Sequence, residues 1–114
     1  MAASINDPAL AVGCLMGTRV LVLGDMVADI YLDGRISRIS REAPVLVLEE
    51  MGERVVAGGA ANVAHNAATL GGAVCAFGIL GKDAGGAGIA AVLSRVGVDT
   101  AGLLATSERS TISK

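Results

Sequence analysis

Two glycines, an amide and a carboxylate are the residues of this chain best suited to binding a polar ligand. The stretch AGGAANVAHNAATLGG (57–72) places Gly58 and Gly59 before a predicted helix and Asn62 in its first turn. Glycine in a helix interior destabilises the helix by about 1 kcal/mol relative to alanine, so two glycines at the start of a helix indicate a requirement other than helix stability. Without a Cβ, the main chain there can be approached closely by a ligand, and the Asn62 amide can turn toward the same space. Together with Asp29, these residues are predicted to form a binding site; the alternatives are a tight turn capped by Asn62 and a solvated loop carboxylate at Asp29.

Several other polar residues have a functional and a structural interpretation. Asp25 directly follows a predicted strand, where it either bonds a ligand or stabilises the neighbouring loop. Asp83 is predicted to cap a helix, and His65 is predicted to face solvent or a helix neighbour. Cys14 and Cys75 are far apart and His65 has no second ligand at metal spacing, so we expect reduced thiols and no metal site.

Short apolar runs separated by glycines predict an alternation of strands and helices. After a loosely helical N-terminal segment, TRVLVLGD (18–25) is predicted to be a buried parallel strand. Residues 29–36 and 45–49 are predicted to pair as an antiparallel flap, followed by a Gly58-Gly59 turn. The remaining predictions are a helix over about 60–70 that stops at Gly71-Gly72, a buried strand AVCAFGILG, a helix over about 84–96 and a short strand VDTAGLLAT. This order predicts an α/β fold with a mostly parallel sheet, whose ligands bind at the carboxyl ends of the strands.

Composition narrows the class of protein. The chain has 114 residues, of which 53% are hydrophobic and only Tyr31 and Phe77 are aromatic, so it is one domain or part of one. A net charge of -2 without clustered Lys and Arg argues against a nucleic-acid surface. The N terminus lacks the basic region of a signal peptide, and no apolar run approaches the roughly 18 to 20 residues that span a bilayer. We therefore expect a cytoplasmic protein with no membrane partner.

Two nucleotide-binding motifs can be rejected. The dinucleotide fingerprint G-x-G-x-x-G fails because Gly24 is followed by Asp25 and Met26. The phosphate loop G-x-x-x-x-G-K-[ST] fails because FGILGKDA has only two residues between Gly78 and Gly81.

The segment 57–64, with Gly71 and Gly81, resembles the N-terminal signature of the ribokinase (PfkB) family of carbohydrate kinases. Within that family, GDMVADIYLDGRISRISREAPV (24–45) is similar to the kinases of D-glycero-D-manno-heptose 7-phosphate, which often precede an adenylyltransferase in one bifunctional protein. The resemblance runs from about residue 19 to the end of the chain. It implies a ribokinase-like Rossmann-type sandwich with a small β lid, of which residues 1–114 form the N-terminal portion and about 29–50 the lid strands.

The resemblance also implies the reaction, in which a sugar hydroxyl attacks the γ-phosphate of ATP in the presence of Mg²⁺. The family's catalytic aspartate lies in a Gly-Ala-Gly-Asp motif that this chain lacks, since the nearest string is Gly86-Ala87-Gly88-Ile89. No catalytic, ATP-binding or metal-binding residue is therefore assigned here. We expect a truncated chain, inactive alone, whose Thr111 and Ile112 begin a strand at an unpaired edge.

Substrate-binding roles follow by position. The resemblance aligns Asp29 with the family's acceptor of sugar hydroxyls, and Gly58, Gly59, Asn62 and Asp25 are assigned to the same site. The substrate of the heptose subgroup already carries a phosphate, for which guanidinium and ammonium groups are suited. Arg38, with its neighbours Arg35 and Arg41, and Lys114 are the candidates, and solvated flap charges are the alternative.

The lid implies a partner as well as a cover for the site. Lid strands of this family often contribute a dimer contact, and Tyr31, Ile36, Val45 and Val47 are the candidate face for a homodimer. Two other functions stay open: a noncatalytic module that binds sugar or associates with a longer homologue, and a kinase of the same family for another sugar.

Overall fold

A computed structural model describes residues 7–114. The elements in chain order are α1 (Pro8–Gly13), β1 (Arg19–Leu23), β2 (Met26–Ile39), β3 (Leu46–Gly59), α2 (Ala60–Thr69), β4 (Ala73–Gly81), α3 (Ala84–Arg95), β5 (Asp99–Thr106) and β6 (Ile112–Ser113). The alternation of strands and helices predicted from the sequence is confirmed. None of the helices within 7–114 combines the length and the apolar character needed to cross a membrane.

The first sheet is parallel, with strand order β1-β4-β5. Helices α2 and α3 pack on one of its faces and on the base of β2 and β3. The interior between them is closed by Met26, Ile89 and Leu93, none of which is exposed to solvent. Small side chains such as Ala61 and Ala64 bring α2 close to the strands, because a helix that buries only methyl groups can approach its neighbours closely.

The opposite face of this sheet carries large apolar side chains in contact with solvent. Leu23 is 76% exposed and Leu104 66%, and Leu21, Phe77 and Ile79 share this exposure. The prediction that β1 is a buried strand is therefore wrong, whereas its predicted parallel pairing is confirmed. Alternate side chains of a strand point to opposite faces of the sheet. Within 7–114, α2 and α3 both cover the same face, so the side chains that point to the other face are in contact with solvent.

Strands β2 and β3 form a long antiparallel hairpin, which we call the lid. Each strand has 14 residues, so the lid extends well beyond the predicted 29–50 at both ends. Gly58 and Gly59 are the last residues of β3 rather than a separate turn, since Val27 and Met26 pair with them. Near the middle of the lid, the Arg54 guanidinium lies 4.8 Å from the centre of the Tyr31 ring.

The last strand of the chain joins the lid rather than the parallel sheet. β6 pairs in parallel with the base of β2, so the second sheet has the order β3-β2-β6. The amide of Lys114 donates to the carbonyl of Ala28 at 3.0 Å, and the amide of Ile30 donates to the carbonyl of Lys114 at 2.8 Å. The strand predicted at Thr111 and Ile112 is thus present, but the edge at which it lies is that of β2.

Candidate functional site

The carboxyl group of Asp29 occupies the space that the missing side chain of Gly58 leaves open. Asp29 is half-buried near the base of β2, and Gly58 is buried near the end of β3. A Cβ placed on Gly58 would lie 2.6 Å from Asp29 Oδ2 and 2.8 Å from Asp29 Cγ. The structure therefore brings together two residues of the predicted site, and the glycine at 58 admits a carboxylate of the chain itself.

Gly59 is required by its backbone conformation and by a close main-chain contact. Its φ of 56° lies in the left-handed region, and it is the N-terminal flanking residue of α2. The Asp25 carbonyl accepts a hydrogen bond from the amide of Ala60 at 2.9 Å and would lie 2.6 Å from a Cβ on Gly59. The main chain of Asp25 thus stabilises the start of α2. The Asp25 side chain is exposed, and its predicted role in binding a ligand stays a prediction.

Asp29 and Lys114 line one cavity. Its volume is about 260 Å³, and Ile30 and Tyr31 complete its lining. Lys114 is held there by the main-chain hydrogen bonds that join it to β2 on both sides of Asp29, to Ala28 and to Ile30. Asp29 and Lys114, separated by 85 positions in the chain, therefore both line a cavity at the base of the lid. A carboxylate accepts hydroxyl protons and an ammonium group donates to anions, so the pair suits a ligand with both hydroxyls and a negative charge.

Asn62 lies in the first turn of α2 but does not cap it. No side chain caps this helix, and the Asn62 Oδ1 atom instead accepts a hydrogen bond from Asn66 Nδ2 at 3.1 Å. Asn62 and His65 line a second cavity of about 340 Å³, walled by residues 55–57 of β3 and by Val92. The structural alternative for Asn62, a cap, is wrong. Asp29 and Asn62 line different cavities, so a single cradle formed by both stays a prediction.

Arg38 is far from these residues within one chain. It pairs with Val47 near the tip of the lid, whereas Asp29 pairs with Val56 near its base. At about 3.3 Å per residue, the two positions on β2 are roughly 30 Å apart. Arg38 is exposed, and Arg35 and Arg41 are exposed as well. The structure does not bring these guanidinium groups to the cavity at Asp29.

Sequence reasoning missed the role of Thr111, which links Asp83 to the strand next to Asp29. Asp83 caps α3 through the Gly86 amide, as predicted, at 2.8 Å. Its carboxyl group also accepts hydrogen bonds from the amide of Thr111 at 2.8 Å and from the Thr111 hydroxyl at 2.7 Å. The bonds from Thr111, followed by that from Gly86, hold the pKa of Asp83 below its usual range. Thr111 follows four polar residues, a context that does not predict a buried side chain, so its contact with Asp83 could not be foreseen from neighbouring residues.

The two cysteines have different surroundings. Cys14 is exposed, and Cys75 is half-buried with its Sγ atom 3.7 Å from Asp99 Oδ2. Burial raises the pKa of the Cys75 thiol, and the neighbouring Asp99 carboxylate raises it further by charge repulsion and by accepting a hydrogen bond from the thiol. Neither cysteine lines the cavity at Asp29.

Similar proteins are carbohydrate kinases and proteins called HldE. HldE of Azorhizobium caulinodans is 45% identical over 96 residues, which are 83% of this chain and 20% of the relative. HldE of Desulfatibacillum aliphaticivorans is 43% identical over 109 residues, 96% of this chain and 22% of the relative. The chain therefore spans about a fifth of the length of these relatives.

Solved structures show the same fold. A fructokinase from Xylella fastidiosa superposes with a TM-score of 0.62 at 30% identity, over 82% of this chain and 26% of that one. Ribokinase of Arabidopsis thaliana, solved with ribose and ATP, gives a TM-score of 0.62 at 30% identity, over 84% of this chain and 30% of that one. The ribokinase-like fold class predicted from the sequence is confirmed. Residues 17–114 also match the model of the pfkB family, and the chain belongs to this family of carbohydrate kinases.

Proposed function

We propose that this chain is the sugar-binding part of an ATP-dependent kinase that phosphorylates D-glycero-D-manno-heptose 7-phosphate at its anomeric O1. The reaction would serve ADP-heptose biosynthesis in the cytoplasm, for lipopolysaccharide core or S-layer glycan. The observation that carries the proposal is the cavity at the base of the lid, whose lining includes both Asp29 and Lys114. The similarity to HldE proteins supports the choice of a heptose over other sugars.

Each residue of this site has a chemical task in the proposal. The Asp29 carboxylate accepts hydrogen bonds from sugar hydroxyls, which strengthen because the acceptor is charged. Lys114 pairs with the phosphate that the substrate already carries. Gly58 keeps room for the Asp29 carboxyl group, and Gly59 sets the direction in which α2 leaves the lid.

Asn62, Asp25 and Arg38 complete the set of proposed substrate residues. Asn62 and the exposed side chain of Asp25 lie near the start of α2. In the proposal, both side chains bind hydroxyl groups of a sugar that is bound there. Arg38, at the tip of the lid, contributes to phosphate binding only if the lid bends or a second chain brings its own lid to this site.

We assign none of the described residues to ATP or Mg²⁺. Within 7–114, no three His, Cys, Asp or Glu side chains are grouped so that they could hold a metal ion. The family's Gly-Ala-Gly-Asp motif is not in the sequence. In the proposal, the nucleotide, the metal and the catalytic base belong to other residues of the parent kinase, and this chain alone turns over no ATP.

Calorimetric titration with sugars tests the proposal. The chain is expected to bind D-glycero-D-manno-heptose 7-phosphate in preference to D-fructose and D-ribose. Asp29→Asn should weaken this binding by about tenfold or more, because a hydrogen bond to a charged acceptor is lost. Glu50→Gln, which changes an exposed lid carboxylate that pairs with Gly34 and does not line the cavity, is the matched control and should leave the affinity unchanged. Equal affinities for both variants would remove Asp29 from the site.

The same titration separates the alternatives. Preferred binding of fructose or ribose would identify a kinase of the family for another sugar. Binding of the heptose phosphate by the chain, with no Gly-Ala-Gly-Asp motif encoded downstream of Lys114, would favour the noncatalytic module. Absence of binding to all three sugars would overturn the proposed function.

We also propose that the lid carries a homodimer contact. Of the face predicted from the sequence, Ile36 is kept, whereas Val47 alternates with Leu46 and Leu48 and therefore points to the opposite face. Ile36 pairs with Leu48 and Ile39 with Leu46, and these four side chains are between 58% and 66% exposed. An exposed apolar strip of this kind is typical of an interaction surface. Sedimentation should give a dimer that Leu48→Lys converts to a monomer, and a strictly monomeric wild-type chain would contradict the contact.

A further inference from the structure

We infer that Asp83 and Thr111 are positioning residues that hold strand β6, and with it Lys114, against Asp29 at the base of the lid. The inference rests on the proposed function where it treats this place as the sugar site. Neither residue touches the cavity at Asp29, whose lining is formed by residues 29–31 and 114. Their effect on a ligand must therefore pass through the main chain of β6.

The contact between Asp83 and Thr111 uses both carboxylate oxygens of Asp83 and both the amide and the hydroxyl of Thr111. Asp83 Oδ2 accepts from the Thr111 amide, and Asp83 Oδ1 accepts from both the Thr111 hydroxyl and the Gly86 amide. The hydroxyl oxygen of Thr111 in turn accepts from the amide of Gly81 at 2.9 Å. Thr111 is only 7% exposed, and among residues 7–114 it is the one polar residue that is buried. A buried, fully bonded hydroxyl at the end of β4 fixes Thr111 in one position.

Glycine at 86 leaves room for this arrangement. A Cβ on Gly86 would collide with the carbonyl oxygen of Gly81 and would also lie 2.9 Å from Thr111 Oγ1, closer than real side chains approach. The first turn of α3 thus offers an unobstructed amide to Asp83 and space for the threonine hydroxyl. The helix cap and the contact with Thr111 are built from the same three residues.

Strand β6 directly follows this anchor in the chain. Its residues Ile112 and Ser113 pair with Val27 and Ala28 of β2. Thr111, bonded to Asp83, precedes the strand, and Lys114, bonded to Ala28 and Ile30, follows it. Only two residues separate Thr111 from Lys114, so a shift of the main chain at Thr111 is passed on to Lys114.

Capping of α3 can be separated from anchoring of β6. A cap needs one oxygen for the Gly86 amide, and serine at position 83 can supply it. The shorter serine side chain has a single oxygen and cannot also accept both Thr111 donors. Asp83→Ser therefore keeps a helix cap and removes most of the anchor, whereas Thr111→Val removes the hydroxyl and leaves the Asp83 cap intact.

Hydrogen exchange on the 114-residue chain tests the anchor directly. In Thr111→Val, both hydrogen bonds of the hydroxyl are lost, the one to Asp83 and the one from Gly81. The amides of Ile30 and Lys114 should then exchange at least about tenfold faster, and the interior amides of α3 should keep their rates. Thr111→Ser restores the hydroxyl and should restore the rates. Asp83→Ser should reproduce the effect of Thr111→Val and serves if the valine variant fails to fold. Unchanged rates at Ile30 and Lys114, or an equal rise at every amide, would overturn the inference.

Ligand titration then distinguishes this inference from the proposed function. If the wild-type chain binds the heptose phosphate, Thr111→Val should weaken binding and Thr111→Ser should recover it. In a Lys114→Gln background, Thr111→Val should have little further effect, because the group that it positions is gone. If no heptose phosphate binds but exchange at Ile30 and Lys114 responds as expected, the proposed function fails and the anchoring of Lys114 stands. Binding that is indifferent to Thr111→Val would overturn the positioning role.

Discussion

Replacing Gly58 by alanine places a methyl group where the carboxyl group of Asp29 lies. The three atoms nearest to a Cβ at this position are Asp29 Oδ2, Cγ and Oδ1, at 2.6, 2.8 and 3.0 Å. Backbone strain does not enter, because Gly58 is not among the residues with positive φ. Alanine at 58 can therefore be accommodated only if the Asp29 side chain leaves its position.

The change in unfolding free energy caused by Gly58→Ala combines a cost from overpacking with a gain from the lower flexibility of alanine in the unfolded chain. Overpacking costs about 1–3 kcal/mol, and the half-buried Asp29 side chain can rotate, so we expect Gly58→Ala to destabilise by about 1.5 kcal/mol. In an Asp29→Ala background the clash is absent. Alanine then gains about 0.5 kcal/mol over glycine, which is more flexible in the unfolded chain. The coupling energy between the two positions is therefore about 2 kcal/mol.

Urea and thermal unfolding of the four chains in this double-mutant cycle measure the coupling. Gly52→Ala is the matched control in the same strand, since nothing lies within 4 Å of a Cβ there, and it should be neutral or slightly stabilising. At roughly 4 °C for each kcal/mol, Gly58→Ala should lower Tm by about 6 °C. If Gly58→Ala destabilises the Asp29→Ala chain as much as the wild type, the Asp29 carboxyl group does not occupy this space and the reasoning is refuted.

Three further predictions concern acid stability, the core and the thiols. Hydrogen bonds lower the pKa of Asp83 in the folded chain, so the stability that Asp83 contributes is present above its unfolded pKa and is lost as pH falls through its folded pKa. Urea unfolding at a series of acidic pH values should show this loss of stability, and Asp83→Asn should make it smaller. Ile89→Ala should destabilise by about 2–5 kcal/mol in the same assay, because Ile89 is 0% exposed, and a smaller loss would mean that α3 repacks. Iodoacetamide at neutral pH should label Cys14 before Cys75, whose raised pKa disfavours the thiolate, and Asp99→Asn should speed labelling of Cys75; equal rates in wild type would contradict this.

Local features of the chain predicted much of the fold. Apolar runs and glycine stops placed α2, β4, α3 and β5 close to their observed bounds, and Asp83 caps α3 as its position before the helix indicates. These features depend on neighbours within a few residues, which a sequence displays directly. The ends of the lid strands were less predictable, because pairing between β2 and β3 continues through residues of low strand propensity such as Gly58 and Gly59.

The amino-acid sequence by itself determined the residue types of the candidate site, the order of strands and helices, and the resemblance to sugar kinases. Only the tertiary structure decided which of those residues meet. It filled the space at Gly58 with the Asp29 carboxyl group, joined β6 to β2 beside Asp29, and bound the buried Thr111 to Asp83. It also separated Arg38 from Asp29 along the lid and exposed one face of β1. Each of these outcomes depends on contacts between residues distant in the chain, whose partners are chosen when the elements pack and not by the residues on either side of them.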